Sequence, residues 1–240
     1  MAKKNPSETG PQVSGAKVVV SKDGPYVVSG NVPLAIQSIT PNQEGMSWDW
    51  TQGKAFKTEP EYYLCRCGQS KSKPFCDGTH AKIGFDGKET ASRKPYRDQA
   101  ETTQGPTLDL KDAEVLCAFA RFCDPAGKIW GLIEQTDDPK ARELTIREAS
   151  HCPGGRLVVS DKKTGKELEP ELPPSIGVVE DPALGCSGPL WVRGGIAIES
   201  VGGKPHERRN RVTLCRCGAS SNKPFCNGTH ASMKWKDGLV

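Results

Sequence analysis

The sequence lacks any long apolar run. No stretch approaches the roughly 20 apolar residues that a helix needs to span a bilayer, and the opening residues, MAKKNPSETGPQ, lack the apolar segment of a secretory signal. We therefore expect a soluble, cytoplasmic protein without a membrane anchor. A strong excess of one charge is also missing, since the formal net charge is +4 with both signs interspersed. We therefore expect no nucleic-acid partner.

Catalytic motifs are missing as well. The chain shows no Ser-His-Asp set, no phosphate-binding glycine loop and no pair of carboxylates that stands out. With no substrate site indicated, we do not expect an enzyme.

Cysteine, by contrast, is frequent, with ten residues in a chain of 240. A chain of this length buries enough apolar surface to fold without crosslinks. In a reducing compartment, cysteines serve more often as metal ligands or reactive groups than as disulfides. The cysteines therefore indicate metal binding.

One segment of 16 residues occurs twice. CRCGQSKSKPFCDGTH occupies positions 65–80 and CRCGASSNKPFCNGTH positions 215–230, with 12 of the 16 positions identical. Each copy offers three cysteines and one histidine. The eight candidate ligands are Cys65, Cys67, Cys76 and His80 in the first copy, and Cys215, Cys217, Cys226 and His230 in the second.

The spacing divides each ligand set into two pairs. Cys65 and Cys67 point to the same side of an extended segment, because side chains alternate there. If Pro74 begins a short helical turn, Cys76 and His80 lie on one face of it. A 2Fe-2S cluster needs two ligands on each iron. Zinc would use all four ligands on one ion, although structural zinc sites favour wider cysteine spacing. Spacing alone leaves both metals open.

The repeated segment resembles the motif of the CDGSH iron-sulfur proteins, also called the NEET family, C-x-C-x2-S-x3-P-x-C-D-G-T-H. The first copy matches it throughout, and in the second Asn227 stands where the family has aspartate. The resemblance implies that the eight ligands bind two 2Fe-2S clusters, one in each copy. It implies one-electron transfer, or storage and transfer of clusters, with a redox protein or an apo iron-sulfur acceptor as partner. The histidine ligands would make the clusters pH-sensitive. The alternative is a structural zinc-binding interaction module.

The flanks of the motif are duplicated too, since GPLWVRGGIAI at Gly188 mirrors GPYVVSGNVPL at Gly24. Family members with one motif pair as homodimers under a shared β-cap, so we expect a monomer with an internal pseudo-dimer. The predicted fold is mainly β (α+β), with a small helical, ferredoxin-like middle segment. The predicted organisation is a flexible tail (1–15), a first module (16–86), a linker (87–106), a middle segment (107–181) and a second module (182–240).

The middle segment carries its own helical signals. Apolar spacing predicts a helix over Asp112–Cys123. Asp138, followed by proline, predicts the start of a second helix that ends at Cys152. Arg156–Ser160 then reads as a strand, with Ile176–Glu180 as its neighbour.

Three cysteines of this segment, Cys117, Cys123 and Cys152, form a further constellation. Cys-x5-Cys followed by a helix ending in Cys-Pro-x-Gly resembles the divergent mono-cluster ferredoxins. In that family three cysteines hold a 3Fe-4S cluster, or a fourth ligand completes 4Fe-4S. Those proteins often have His or Gly in the first loop, whereas the helix predicted here argues against a cluster loop. Because free cysteine is among the most buried residues, we assign these three to packing rather than to a third cluster.

Overall fold

The computed structural model describes residues 15–239, so the tail predicted over residues 1–15 lies outside the described residues apart from Gly15. Within this range the chain forms twelve short strands and four α-helices. The strands are β1 (Lys17–Val20), β2 (Tyr26–Ser29), β3 (Leu34–Pro41), β4 (Ser47–Phe56), β5 (Glu61–Leu64), β6 (Glu101–Gln104), β7 (Leu108–Asp112), β8 (Leu157–Asp161), β9 (Ser175–Asp181), β10 (Cys186–Arg193), β11 (Ala197–Glu199) and β12 (Arg211–Leu214). The helices are α1 (Thr79–Lys82), α2 (Ile129–Leu132), α3 (Pro139–His151) and α4 (Thr229–Ser232). The mainly β, α+β prediction is confirmed.

The two modules exchange strands. In the four-stranded sheet, with strand order β11-β1-β2-β5, β11 from the second module pairs in parallel with β1. In the five-stranded sheet, with order β12-β10-β9-β3-β4, β3 from the first module pairs in parallel with β9. Each module therefore completes the sheet of the other, as in a dimer with a shared β-cap.

Strand β9 corrects two predictions. The sequence assigns it to the middle segment and pairs it with Arg156–Ser160, whereas the structure pairs it with β10 and β3. The strand predicted at Arg156–Ser160 is β8, and it pairs with β7. All residues from Ile176 to Asp181 are buried, as expected for a strand covered on both faces. The second module thus begins near residue 175, not 182.

A single hydrophobic core joins the modules. It combines Val18 and Leu64 of the first sheet with Val178 and Leu190 of the second. Buried and less buried residues alternate along β1, β2 and β5, which is the pattern of strands with one covered face. The modules therefore share one interior and do not form two independent cores.

The middle segment has a separate core. The three-stranded sheet, with order β6-β7-β8, packs with α2 and α3 around residues that include Leu108, Ile133 and Leu157. Helix α3 starts as predicted, because the Asp138 carboxylate accepts the Ala141 amide at 2.8 Å. In the part of the chain that the structure describes, no helix is long and apolar enough to cross a membrane.

The linker predicted over 87–106 is docked against the protein. Its last residues form β6, which pairs with β7. Tyr96 is 7% exposed and donates its hydroxyl to the carbonyl oxygens of Lys111 and Arg156, at 3.0 and 2.8 Å. Near the start of this stretch, the Glu89 carboxylate lies 3.0 Å from Nε2 of the buried His206. The polar composition of this stretch reflects specific hydrogen bonds to its neighbours.

The helix predicted over Asp112–Cys123 is wrong. One 3-10 turn, Glu114–Leu116, is followed by irregular chain in which Phe119 and Arg121 adopt φ of 55° and 61°. Left-handed backbone costs about 1–2 kcal/mol for a residue other than glycine, so neighbouring contacts must hold it. The Arg121 guanidinium forms a two-pronged salt bridge with Asp181, at 2.6 and 3.2 Å. Tertiary contacts here override the helical spacing.

The Trp-rich insertion of the first copy forms β4 and attaches the middle segment. The Trp50 ring centroid lies 4.6 Å from that of Trp191 and 4.8 Å from that of Phe122. Its indole nitrogen donates to the carbonyl oxygen of His151, the last residue of α3, at 3.3 Å. The insertion therefore joins the five-stranded sheet to the middle segment.

The two copies of the repeated segment touch back to back. A Cβ added to Gly68 would lie 2.3 Å from the Cys217 carbonyl oxygen, and one added to Gly218 would lie 2.5 Å from that of Cys67. Both glycines have positive φ, +76° and +85°, which glycine adopts most readily. This reciprocal contact, expected across a pseudo-two-fold axis, fixes the two segments relative to each other.

We expect Gly68→Ala to destabilise the protein more than Gly78→Ala. Gly78 has φ +82°, and a Cβ there meets no atom of residues 15–239 within 4 Å, so its substitution adds only the strain of left-handed backbone. Gly68→Ala adds a collision with backbone, worth about 1–3 kcal/mol more. The free energy of unfolding from chemical denaturation measures the difference. Equal losses in the two variants would contradict the back-to-back contact.

Candidate metal centres

The ligands of each repeated segment stand in two close pairs. In the first segment the Cys65 and Cys67 sulfurs are 3.8 Å apart, and the Cys76 sulfur is 3.3 Å from His80 Nδ1. The second segment repeats the arrangement with 3.7 Å between its first two sulfurs and 3.4 Å between its third sulfur and the histidine. We call positions 65–80 and 215–230 the first and second ligand loops. The structure brings together all eight ligands as predicted pairs.

These distances fit one tetrahedral metal ion for each pair. Two sulfurs each about 2.3 Å from a tetrahedral ion lie about 3.8 Å apart, and a sulfur with an imidazole nitrogen about 2.0 Å from the ion lies about 3.5 Å from it. Within residues 15–239, no three Cys, His, Asp or Glu side chains converge on a point that could hold a single ion. The donor set therefore fits two ions in each loop, as in a 2Fe-2S cluster, better than one zinc ion.

A short hairpin extension brings each loop back to its first cysteine. The Cys65 amide donates to the Pro74 carbonyl at 2.8 Å, and the Cys76 amide donates to the Tyr63 carbonyl at 2.9 Å. The helical turn predicted at Pro74 does not form, because Phe75 pairs with Leu64 in an antiparallel bridge and α1 begins only at Thr79. Cys76 thus precedes the helix that carries His80, although the predicted pairing of the two is right.

Asp77 and Asn227 shape their loops alike but differ in charge. The Asp77 carboxylate accepts the amides of Lys71 and Thr79, at 2.8 and 3.0 Å, and these bonds hold its pKa well below the usual range. The Asn227 side chain accepts the Thr229 amide at 3.2 Å and donates its own amide to a serine hydroxyl at 2.8 Å. The loop conformation is therefore kept while one exposed negative charge is lost.

Burial opposes ionisation of most ligand thiols. Desolvation raises the pKa of Cys67, Cys76 and Cys226. In the second loop the contact between the Cys215 and Cys217 thiols lowers the pKa of Cys215 and raises the pKa of Cys217. Buried thiolates crowded together need a cation to hold them, so metal binding would release their protons.

An arginine stands between the paired cysteines of each loop, and the sequence analysis missed its role. The Arg216 guanidinium is paired with Asp237 and, at 2.7 Å, with Glu180. Arg66 is 1% exposed and donates to the carbonyl oxygens of Ser21 and Gly87, and its Nε has no acceptor within residues 15–239. The sequence does signal this role, because an arginine stands between the paired cysteines in both copies, and an arginine on the surface need not recur at one position.

The three cysteines of the middle segment are free and partly buried. Cys123 and Cys152 both pack against the core of the middle segment, and burial raises the pKa of each thiol. Cys117 begins the irregular chain that stands in place of the predicted helix. Their assignment to packing alone, which depended on a helix, therefore loses its main support.

The chain between Cys117 and Cys123 is suited to enclosing an anionic group. Its two left-handed residues, Phe119 and Arg121, bend the backbone. The amides of residues 118–123 have no backbone acceptor within residues 15–239. Successive amides in such bent chain form concavities that bind anions and iron-sulfur centres. This segment therefore fits a cluster loop.

Comparison with known proteins agrees with these three centres. Residues 23–81 and 187–231 match the family model described as iron-binding zinc finger, CDGSH type. Residues 103–162, which contain Cys117, Cys123 and Cys152, match the model described as divergent 4Fe-4S mono-cluster. No curated protein and no solved structure matches the chain. The chain thus contains two segments similar to the CDGSH type, with a segment similar to a divergent 4Fe-4S mono-cluster domain between them, and these matches support an iron-sulfur protein.

Proposed function

We propose that each ligand loop holds one 2Fe-2S cluster and that the protein acts as a carrier, not an enzyme. It would transfer single electrons to a redox partner, or store clusters and transfer them to an apo acceptor protein. The observation that carries the proposal is the division of each ligand set into two pairs, each spaced for its own tetrahedral ion. All ten cysteines are free thiols, which supports a reducing, cytoplasmic setting.

When bound, a 2Fe-2S cluster supplies one-electron oxidation and reduction. The chain tunes that chemistry through His80 and His230. A neutral imidazole in place of a thiolate makes the site less negative, which favours a higher reduction potential. Protons compete with the metal for a histidine ligand in acid, and burial lowers the pKa of His230 to about 4. The histidines would thus link the stability of the loaded site to pH.

A third cluster, held by Cys117, Cys123 and Cys152, is the second part of the proposal. The observation that favours it is the irregular segment between the first two cysteines, whose amides have no backbone acceptor within residues 15–239, where a helix was expected. Three cysteines suit a 3Fe-4S cluster, or a 4Fe-4S cluster whose fourth ligand comes from elsewhere. The competing proposal for all three centres is structural zinc.

Metal and sulfide analysis of anaerobically purified protein tests this proposal. Two 2Fe-2S clusters give about four irons and four sulfides per chain, and a third cluster adds about three or four of each. We expect Cys117→Ser with Cys123→Ser to remove only the added irons and the matching visible absorption. Cys186→Ala, a buried cysteine outside the three centres, is the control and should change neither. A colourless protein with zinc and no sulfide would contradict the proposal.

Replacing both histidine ligands by cysteine tests their role. We expect His80→Cys with His230→Cys to lower the reduction potential, because each site gains a negative ligand. Loss of visible absorption in mild acid should also slow, since no imidazole remains to be protonated. Spectroscopic redox titration and absorbance decay measure the two effects, with His151→Asn as control. An unchanged potential together with unchanged decay would exclude this role.

A further inference from the structure

The two ligand loops differ in exposure although their sequences are nearly the same. His80 is partly exposed, whereas the equivalent His230 is 5% exposed. Cys76 is partly exposed, whereas the equivalent Cys226 is 2% exposed. The difference falls on the cysteine-histidine pair, the side of the loop at which a metal would be reached from outside.

The backbone of the loops does not account for the difference. Gly78 and Gly228 follow the third cysteine by two residues and have the same φ of +82°. A Cβ at Gly78 would meet no atom of residues 15–239 within 4 Å. One at Gly228 would lie 3.1 Å from Phe119 Cβ and 3.4 Å from the Cys117 carbonyl oxygen. The middle segment therefore lies against the second loop and leaves the first loop open.

Other contacts hold the second loop to its surroundings. The Asn222 side chain donates to the Val115 carbonyl at 2.9 Å, where the first loop has the shorter Ser72. The Lys223 carbonyl accepts the amide of Thr90, from the docked linker, at 2.8 Å. The second loop is thus covered from the linker as well as from the middle segment.

The covering segment is itself firmly placed. Arg121 is tied to Asp181, whose side chain is 4% exposed, and Phe122 packs against Trp50. Between them and Cys117 stands Phe119 with φ 55°, a conformation that a bulky residue keeps only where neighbours fix it. Phe119 lies against Gly228 of the second loop through its Cβ, while the residue is 48% exposed. It is no metal ligand, so it acts as a positioning residue.

We propose that the first ligand loop is the site at which this protein exchanges iron or an intact cluster with an acceptor, and that the segment Cys117–Cys123 covers the second loop and withholds it from exchange. This inference rests on the proposed function of the two loops. Because Cys117 and Cys123 are also the candidate ligands of the middle centre, a metal bound there would stiffen the cover. Loading of the middle segment would then protect the second loop.

The test follows loss of visible absorption from the loaded, full-length protein after addition of EDTA or of an apo 2Fe-2S ferredoxin. For the two loop clusters we expect two phases whose rates differ on the order of tenfold or more, as for an open site beside one that requires local opening, apart from the separate loss of a cluster at the middle centre. His80→Cys should alter only the fast phase, which assigns that phase to the first loop. Phe119→Gly, which removes the Cβ that lies against Gly228, should accelerate only the slow phase. Val201→Ala, at an exposed apolar residue outside both loops, should alter neither.

A second measurement is independent of the cluster spectra. Hydrogen exchange should be slower in residues 224–232 than in the equivalent residues 74–82, and Phe119→Gly should accelerate it only in 224–232. Phe119→Ala, which keeps the Cβ against Gly228, is the matched control and should accelerate it less. Equal rates for both loops in iron-loaded protein, or a fast phase that responds to Phe119→Gly, would overturn this inference alone. Protein that contains zinc without sulfide would overturn the proposed function and this inference with it.

Discussion

The parallel pairing of β1 with β11 and of β3 with β9 is the constraint on which the rest of the structure depends. Parallel neighbours cannot be joined by a tight turn, so each pair forces the chain to cross between modules. The strands β5 and β12 that lead into the ligand loops belong to these exchanged sheets. The back-to-back contact at Gly68 and Gly218 is possible only because the sheets are locked together. The loops are therefore parts of one unit.

The difference in charge around the two loops does not follow from the replacement of Asp77 in the first loop by Asn227 in the second. Replacing the family aspartate with Asn227 suggests that the second loop is the less negative one. Asp77, however, is exposed and bound to backbone amides, so solvent screens its charge. Beside the second loop, Glu180 of β9 and Asp237 both contact the buried Arg216.

The two buried acids do not carry equal charge. Burial raises the pKa of Glu180 to about 7, so it is partly protonated near neutral pH. Although burial opposes it, the Arg216 guanidinium holds the pKa of Asp237 below its usual value. Arg66 in the first loop hydrogen-bonds only to carbonyl oxygens within the described residues. Buried charges interact more strongly than screened ones, so the interior of the first loop is the more positive.

The sequence predicted what depends on local spacing. It predicted the pairing of the eight candidate ligands, the duplicated flanks and the start of α3 at Asp138, because each of these follows from residues a few positions apart. It failed where contacts between residues far apart in the sequence determine the local structure. The chain after Cys117 has helical apolar spacing, but Arg121 reaches Asp181, sixty positions away, and Phe122 packs on Trp50 of β4. Strand β9 was given a partner close in sequence, whereas its partners are β10 and β3.

The insertion of the middle segment explains why two nearly identical loops have become unequal. Only one face of the paired modules can receive a segment placed between them, and the linker enters along the second loop, where Thr90 bonds to Lys223 and Ser221. The segment then packs on β4, an extension that the first module alone carries. One insertion thus uses a strand of the first module to cover the loop of the second. Two sites with the same candidate ligand residues thus differ in exposure, since the first is open and the second is covered.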